Sequence, residues 1–300
     1  MKIGLTYNLK PADASSDEYE EFDSPETIEA LEAALRENGH EPVRLGWGSE
    51  LLDALRSGVQ VDGVLNIAEG VGGRGRESQV PALLEMLGVP CTGAPPLAIA
   101  ITLDKALAKR LAQAHGIPTA PFAIDAAPSD RYPLFAKPAR EGSSMGITSS
   151  SLCASPAELD AALKRLRPYG PVLVEEYLPG DEYTVGIIDG EILGVMHVVP
   201  RDASGEPFIY SLEVKRDYLR RVEYRLVEAP DAARLALDVW RAFDLRDVAR
   251  VDVRRDRDGV ACFVEVNPLP GVHPVNSDLI ILGRLAGWSH AEVIGRVVGA

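Results

Sequence analysis

The sequence is short of cysteine, and its three, Cys91, Cys153 and Cys262, lie too far apart to form a CxxC pair. An odd, scattered set excludes a disulfide framework and a cysteine-based zinc site. No stretch approaches the ~18 consecutive apolar residues of a membrane span. The opening MKIGLTYNLK lacks the basic region and long apolar run of a signal peptide. Basic residues are outnumbered, 31 against 45 acidic, and the net charge of −14 repels nucleic-acid backbones. Two glycine fingerprints are absent as well, GxxxxGK[ST] and GxGxxG, which argues against a Walker A site and a nicotinamide dehydrogenase. What remains reads as a cytoplasmic chain of 300 residues, 46% hydrophobic and 25% charged, with neither membrane nor nucleic-acid partner. That balance suits a globular protein of two or three domains.

Local patterning predicts an α/β fold. Lys2–Tyr7 reads as a strand, and Ser24-Pro25-Glu26 opens a helix with a capping serine, a proline in the first turn and an acid at the positive end of the dipole. Pro42–Leu45 and Gly63–Ile67 read as further strands, giving β-α-β. A helix near Glu77–Leu87 leads to a short strand Val89–Thr92, and Gly93-Ala94-Pro95-Pro96 punctuates a domain boundary. Beyond it come a helix at Asp104–His115, strands at Pro133–Lys137 and Val172–Tyr177, a capped helix from Ser155, and a helix near Asp231–Phe243. Two antiparallel hairpins turn at Asp189-Gly190 and Asp258-Gly259, so the C-terminal half reads as α+β.

The second hairpin gathers chemistry. A two-residue turn at Asp258-Gly259 places Val260 opposite Arg257, Glu265 opposite Asp252, and Asn267 opposite Arg250, with Val251 and Val253 meeting Val266 and Val264 behind them. An arginine, two carboxylates and an amide on one face are costly unless a cation and an anion share them. Oxygen ligands favour Mg²⁺. Gly271, in the turn after Asn267, can offer its N–H to a developing oxyanion. Alone, the pattern fits a solvated surface hairpin as well as it fits a site. Other motifs accompany it. Lys137 ends a strand before the small-residue loop that runs through Ser143, Ser144, Met145 and Gly146, suited to cradling phosphates. Glu175 and Glu182 flank a Pro179-Gly180 turn, where carboxylates could meet an adenine amino group and a ribose hydroxyl.

Taken in order, these segments resemble the D-alanine–D-alanine ligase family of the ATP-grasp superfamily. The collinear matches are Glu69 to Glu77 with Gln79, Leu103-Asp104-Lys105, Lys137 to Gly146, Val174 to Glu182, Ala249 to Asp252, and Glu265 to Gly271. The resemblance implies an ATP-grasp fold preceded by a Rossmann-like domain, with lobes at 1–93, 94–178 and 179–300. It implies that Lys105 and Lys137 contact ATP phosphates, that Ser143, Ser144, Met145 and Gly146 close over them, and that Glu175, Glu176, Leu178 and Glu182 line the adenosine pocket. Asp252, Glu265 and Asn267 would hold Mg²⁺, or Mn²⁺ in its place. Lys215 would reach the γ-phosphate, and Arg250 with the Gly271 N–H would stabilise a tetrahedral intermediate, Ser143 standing beside the first substrate. The implied reaction is phosphorylation of one amino acid's carboxylate by ATP and attack by a second substrate's amine, in a protein that is a homodimer. Catalysis of this kind rests on positioning and charge.

The departures concern substrate. The family's N-terminal ammonium-binding glutamate falls in the loop Pro11 to Asp23, where Glu18, Glu20, Glu21 and Asp23 are candidates. Glu69 replaces a histidine, Arg216 replaces an aromatic after the mobile-loop lysine, and Asn276-Ser277 stands at the second substrate's carboxylate end. His273 is the histidine nearest this site. D-alanyl-D-alanine synthesis for the cell wall is one activity these residues allow. A ligase of another amino-acid or amine pair, or an ATP-binding module without catalysis, are the alternatives.

Overall fold

The computed structural model describes residues 1–11, 19–202 and 207–299. The first segments are β1 (Lys2–Thr6), α1 (Pro25–Glu37), β2 (Glu41–Arg44), α2 (Ser49–Arg56), β3 (Gly63–Asn66) and α3 (Gln79–Met86), and the three strands form a parallel sheet of order β2-β1-β3. Ser24 caps α1 by accepting the Thr27 N–H at 3.3 Å. Ile28, Leu31 and Leu35 recur on one face and are buried, each stabilising the fold by roughly 1.5–3 kcal/mol.

Next come α4 (Pro96–Leu103), α5 (Lys105–Ala114), β4 (Phe122–Ile124), β5 (Leu134–Pro138), β6 (Leu152–Cys153), α6 (Pro156–Leu166) and β7 (Val172–Glu176), whose strands form an antiparallel sheet of order β4-β7-β5-β6. The third sheet takes β8 (Glu182–Ile188), β9 (Glu191–Pro200), β10 (Val222–Leu226), β11 (Val248–Arg255) and β12 (Ala261–Asn267) in the order β10-β9-β8-β11-β12. Helices α7 (Leu212–Arg216), α8 (Tyr218–Arg221) and α9 (Pro230–Ala242) lie among these strands in sequence, and α10 (Asp278–Leu285) and α11 (His290–Val298) follow them.

Helices α4, α5 and α9 cover one face of the third sheet, in a core that holds Ile99, Ala112, Leu235, Val185, Val251, Val253 and Phe263. That core leaves Arg250, Asp252 and Arg254 on the opposite face, because side chains alternate along β11. Helix α11 packs on α1, so Val293, Ile294 and Val297 share a core with Ile28, Leu31 and Leu35. No helix among the described residues is long and apolar enough to cross a membrane.

Four local readings are corrected. Helices α2 and α4 were not expected. The strand at 89–92 reduces to a single bridge, Val64 with Cys91, held by Val64 N–H to Pro90 O at 2.9 Å and Thr92 N–H to Val64 O at 2.8 Å. The second hairpin does not turn on two residues: Asp256 N–H donates to Val260 O at 2.9 Å, enclosing a three-residue loop, so Val260 does not face Arg257. Val253 pairs with Phe263, not Val264, and a bulge between Asp252 and Val253 restores Asp252↔Glu265, Val251↔Val266 and Arg250↔Asn267. The longer loop and the bulge each shift the register by one, in opposite directions.

Candidate active site

The bulge decides what faces the cavity. With one extra residue on β12, Val264 and Glu265 both open toward a chamber between the second and third sheets while Phe263 and Val266 stay in the core. Lys105, Lys137, Lys215, Ser144, Met145, Glu175, Glu176, Leu178, Glu182, Asp252 and Arg254 line the same chamber. It adjoins an outer cleft of about 440 Å³, and Lys105, Gly142, Tyr210, Lys215 and Glu265 stand on the wall between the two. The cleft gathers Ser143, Arg250, Asn267, Gly271, Asn276, Ser277, Arg216, Glu21 and Glu69. Gly146 faces neither cavity; it lies against Pro138 and Leu166, and its carbonyl accepts Arg165 Nη1 at 2.7 Å.

The inner chamber is cationic at its base. Lys137 is 4% exposed and ion-paired with Glu175 Oε1 at 2.8 Å, while Lys109 reaches Glu175 Oε2 at 2.7 Å. Burial would raise the Glu175 carboxyl, but the two lysines outweigh it and hold it at about 2. Both oxygens are therefore ion-paired, although the buried Oε2 accepts no hydrogen bond of good geometry among the described residues and is open to a further donor. Lys105 Nζ donates to Glu141 O at 2.6 Å and stands 3.5 Å from Glu265. Burial would also raise Glu265, yet Lys105, Lys137, Lys215 and Arg250 keep it well below the usual carboxylate range. Glu182 behaves otherwise, raised by burial beyond what its Arg254 partner at 3.2 Å relieves. Arg254 further donates to the Tyr177 hydroxyl at 2.8 Å and to Phe208 O at 3.0 Å. Glu176 Oε1 accepts the Ser129 hydroxyl at 2.6 Å.

Ser143 and Ser144 adopt left-handed backbone at φ 46° and 57°, and Ser144 Oγ donates to Tyr210 O at 3.0 Å, tying this loop to the segment before α7. Lys215, on α7, lies 5.0 Å from the Tyr210 ring centroid.

In the outer cleft, Arg250 bonds Asp252 at 3.1 Å and Asp278 at 3.2 Å. Burial opposes its charge, but Asp252, Asp278 and Glu265 hold it well above the usual guanidinium value, and its buried Nε has no partner among the described residues. The Gly271 N–H likewise donates to no protein group among the described residues. Ser277 Oγ accepts the His273 N–H at 2.9 Å, and the His273 ring accepts Val275 N–H at 3.1 Å, which shapes the turn that carries Asn276.

Asp252, Glu265 and Asn267 form the candidate cation site. Asp252 and Glu265 are cross-strand partners and Asn267 is two residues on, on the same face. Burial raises the Asp252 carboxyl, Arg250 offsets part of this, and Glu265 adds to it. A divalent cation would relieve that repulsion, and two carboxylates with an amide oxygen suit Mg²⁺ completed by phosphate and water. The residues fit.

The acidic loop is arranged differently from the reading of its sequence. Glu21 pairs with Arg76 at 2.7 Å, and Glu20 with Arg216 at 2.6 Å, so neither holds a bare carboxylate in the cleft. Glu18 lies outside the described residues. Three other acids face the cleft. Burial pushes Asp23 to about 7 against the hydrogen bond from Thr27, and Glu77 to about 7 against Arg76. Glu69 rises well above its usual range through burial, then Glu77 and Glu21.

Lys109 and Arg254 were missed as functional candidates, and Arg76 and Glu77 stood only within a matched stretch. Two carried a signal: Arg254 continues the alternation of Arg250 and Asp252, and Lys109 is one helical turn after Lys105.

The sequence and the fold are shared with known proteins. Residues 111–299 match the family model described as the D-ala D-ala ligase C-terminus. The D-alanine–D-alanine ligase of Marinomonas sp. is 33% identical over 279 residues, spanning 88% of this chain and 86% of its own. That of Aquifex aeolicus is 33% identical over 262 residues, 83% and 86%. An uncharacterized protein of Sinorhizobium fredii is 32% identical over 292 residues, 90% and 85%. The crystal structure of D-alanine–D-alanine ligase from Bacillus anthracis complexed with ATP superimposes with a TM-score of 0.76 at 24% identity, over 99% of this chain and 96% of that one, and so shows the fold. The chain belongs to the D-alanine–D-alanine ligase family of ATP-dependent C–N ligases and has its ATP-grasp fold.

Proposed function

We propose that the protein phosphorylates the carboxylate of one amino acid with ATP and joins the resulting acyl phosphate to the amine of a second. The observation that carries this is the charge layout of two adjoining cavities: Lys105, Lys137 and Lys215 line the inner chamber, while the buried acids Asp23, Glu69 and Glu77 line the outer cleft together with Arg250 and Gly271. ATP lies in the inner chamber, its phosphates toward Lys105, Lys137 and Lys215 and its base toward Glu175, Glu176, Leu178 and Glu182. Ser143, Ser144 and Met145 close the chamber. Mg²⁺, held by Asp252, Glu265 and Asn267, would supply charge neutralisation at the phosphates. The first substrate's ammonium meets Glu69 and Asp23, with Glu77 beside them, since Arg76 is drawn most closely to Glu21 at 2.7 Å and stands farther from Glu77 at 3.5 Å. Arg250 and the Gly271 N–H receive the negative charge that develops as the amine attacks, in a site where aligned donors need no reorganisation. Asn276 and Ser277 meet the second substrate's carboxylate, and Arg216 bounds the cleft beside Glu20.

The lobes are 1–93, 94–178 and 179–300, with α4 and α5 sharing the core of the last. The free cysteines suit a cytoplasmic location, and exposed Met86, Leu87 and Leu97 offer apolar surface for a homodimer. D-alanine is one substrate that this cleft allows. A different amino-acid or amine pair is the alternative, with Asn276 and Asp278 lining the cleft where the second substrate would lie. A binding module without catalysis is disfavoured by the retained lysines, carboxylates and Arg250. The test is a screen of amino-acid and amine pairs for Mg-ATP-dependent phosphate release, with the product weighed by mass spectrometry. Release with D-alanine alone supports D-alanine as both substrates, and release only with unlike pairs supports a ligase of a different amino-acid or amine pair. ATP binding without turnover for any pair would contradict ligase function.

A further inference from the structure

Lysine is almost never wholly buried unless it is paired, yet Lys109 has no exposed side-chain surface. Its Nζ has three partners on three segments: Glu175 Oε2 on β7 at 2.7 Å, Thr119 Oγ1 at 2.7 Å, and Phe263 O on β12 at 3.4 Å. Thr119 Oγ1 also donates to Phe263 O at 2.7 Å, which fixes the arrangement. Lys137 differs. Its ammonium has one partner among the described residues, the other oxygen of Glu175, and it lines the inner chamber. One buried carboxylate thus serves two lysines, one anchored and one open to the cavity. Neutralising Glu175 requires only one of them.

We propose that Lys109 is a positioning residue: the standing counter-ion of Glu175, which lets Lys137 turn to an anionic ligand without leaving a bare buried carboxylate and keeps Glu175 aimed at the exocyclic amino group of a purine. This rests on the nucleotide reading of the chamber. Without Lys109, Lys137 is retained by Glu175, and the carboxylate loses its fixed orientation. The consequence falls on nucleotide binding and base discrimination, and leaves the outer cleft untouched.

The experiment compares the full-length protein with Lys109→Met, titrating ATP and inosine triphosphate, which lacks the amino group, and measuring kcat and KM for each with the amino-acid pair found by the screen. Lys109→Met should raise the ATP KM about tenfold with kcat and the amino-acid KM little changed, and should bring the ATP and inosine triphosphate efficiencies toward parity. Lys109→Arg, which keeps the charge, should recover part of the preference for ATP. Should Lys109→Met not fold, Lys109→Met with Glu175→Gln removes both charges and should fold and bind both nucleotides alike. Failure of that double variant to fold, or an unchanged ATP KM and unchanged discrimination in Lys109→Met, would overturn the inference alone. Absence of ATP binding by the wild-type protein would overturn it together with the nucleotide reading.

Discussion

Glu77 is 8% exposed, and burial moves its carboxyl from the ordinary 4.5 to about 7 despite Arg76 beside it. The folded protein therefore holds a proton that the unfolded chain has already released between those two values. Stability from this group is fully present below about pH 4.5 and is lost as the pH rises through 7. A carboxyl displaced that far carries about 3 kcal/mol, removed at about 1.4 kcal/mol per pH unit within the window. Glu77→Gln replaces it with an uncharged group of nearly the same shape. Chemical denaturation of both proteins at pH 5, 6, 7 and 8 reads the effect, and their difference removes the histidines and distant carboxyls while keeping Glu77 together with Glu69, whose carboxyl it raises. The variant should gain on the wild type steadily, and at pH 8 should be the more stable by up to about 3 kcal/mol, less whatever the lost ion pair with Arg76 contributed. A difference that stays flat from pH 5 to 8, or that grows in favour of the wild type, would refute the reasoning. The same charge has a role in binding: an ammonium needs Glu77 ionised, so the first substrate's KM should fall as pH rises through 7.

Other substitutions separate the parts of the site. Lys137→Ala should lower kcat/KM by about 10²–10³ while the far-ultraviolet circular dichroism stays native, since Lys109 keeps Glu175 paired; retained turnover would sink the phosphate assignment. Glu265→Gln should raise the Mg²⁺ requirement by at least the ~10–100-fold that loss of an outer-shell partner costs. Because the Glu265 carboxyl is held low, its stabilising contribution is present above its unfolded value and vanishes as pH falls, so the variant's stability deficit should shrink in acid. Gly271→Ala places a Cβ 2.9 Å from Ser277 Oγ; the displaced turn should lower kcat about tenfold, less than outright loss of an oxyanion donor, with the ATP KM unchanged.

The hairpin shows both what the sequence carries and where it stops. Alternation along β11 and β12 is local, so the polar face with Arg250, Asp252 and Glu265 was legible. The loop length and the bulge are not, because they depend on Phe263 seating in the core against Phe243, 5.8 Å away. The site pairing came out right since the two errors cancel. Helix α4 was hidden for another reason: Pro-Leu-Ala-Ile-Ala-Ile-Thr-Leu is apolar all round, its cap Pro95 makes no side-chain bond, and prolines precede it, so it has the marks of a linker and no amphipathic period. Helix α2 begins at Ser49, after Gly48, which supplies no cap bond, and buries one side chain, Leu51. The acids of the cleft fail in a third way. Glu20 and Glu21 look like free carboxylates in a loop, and only the tertiary fold brings Arg216 and Arg76 to them.

The central claim is an acyl phosphate formed from the first substrate's carboxylate, and isotope transfer tests it most directly. With that carboxylate labelled with oxygen-18, Mg-ATP and an accepted amine, each amide bond should send one labelled oxygen into inorganic phosphate, with ADP released in equal amount. Phosphate free of label, or label recovered in AMP, would contradict the account.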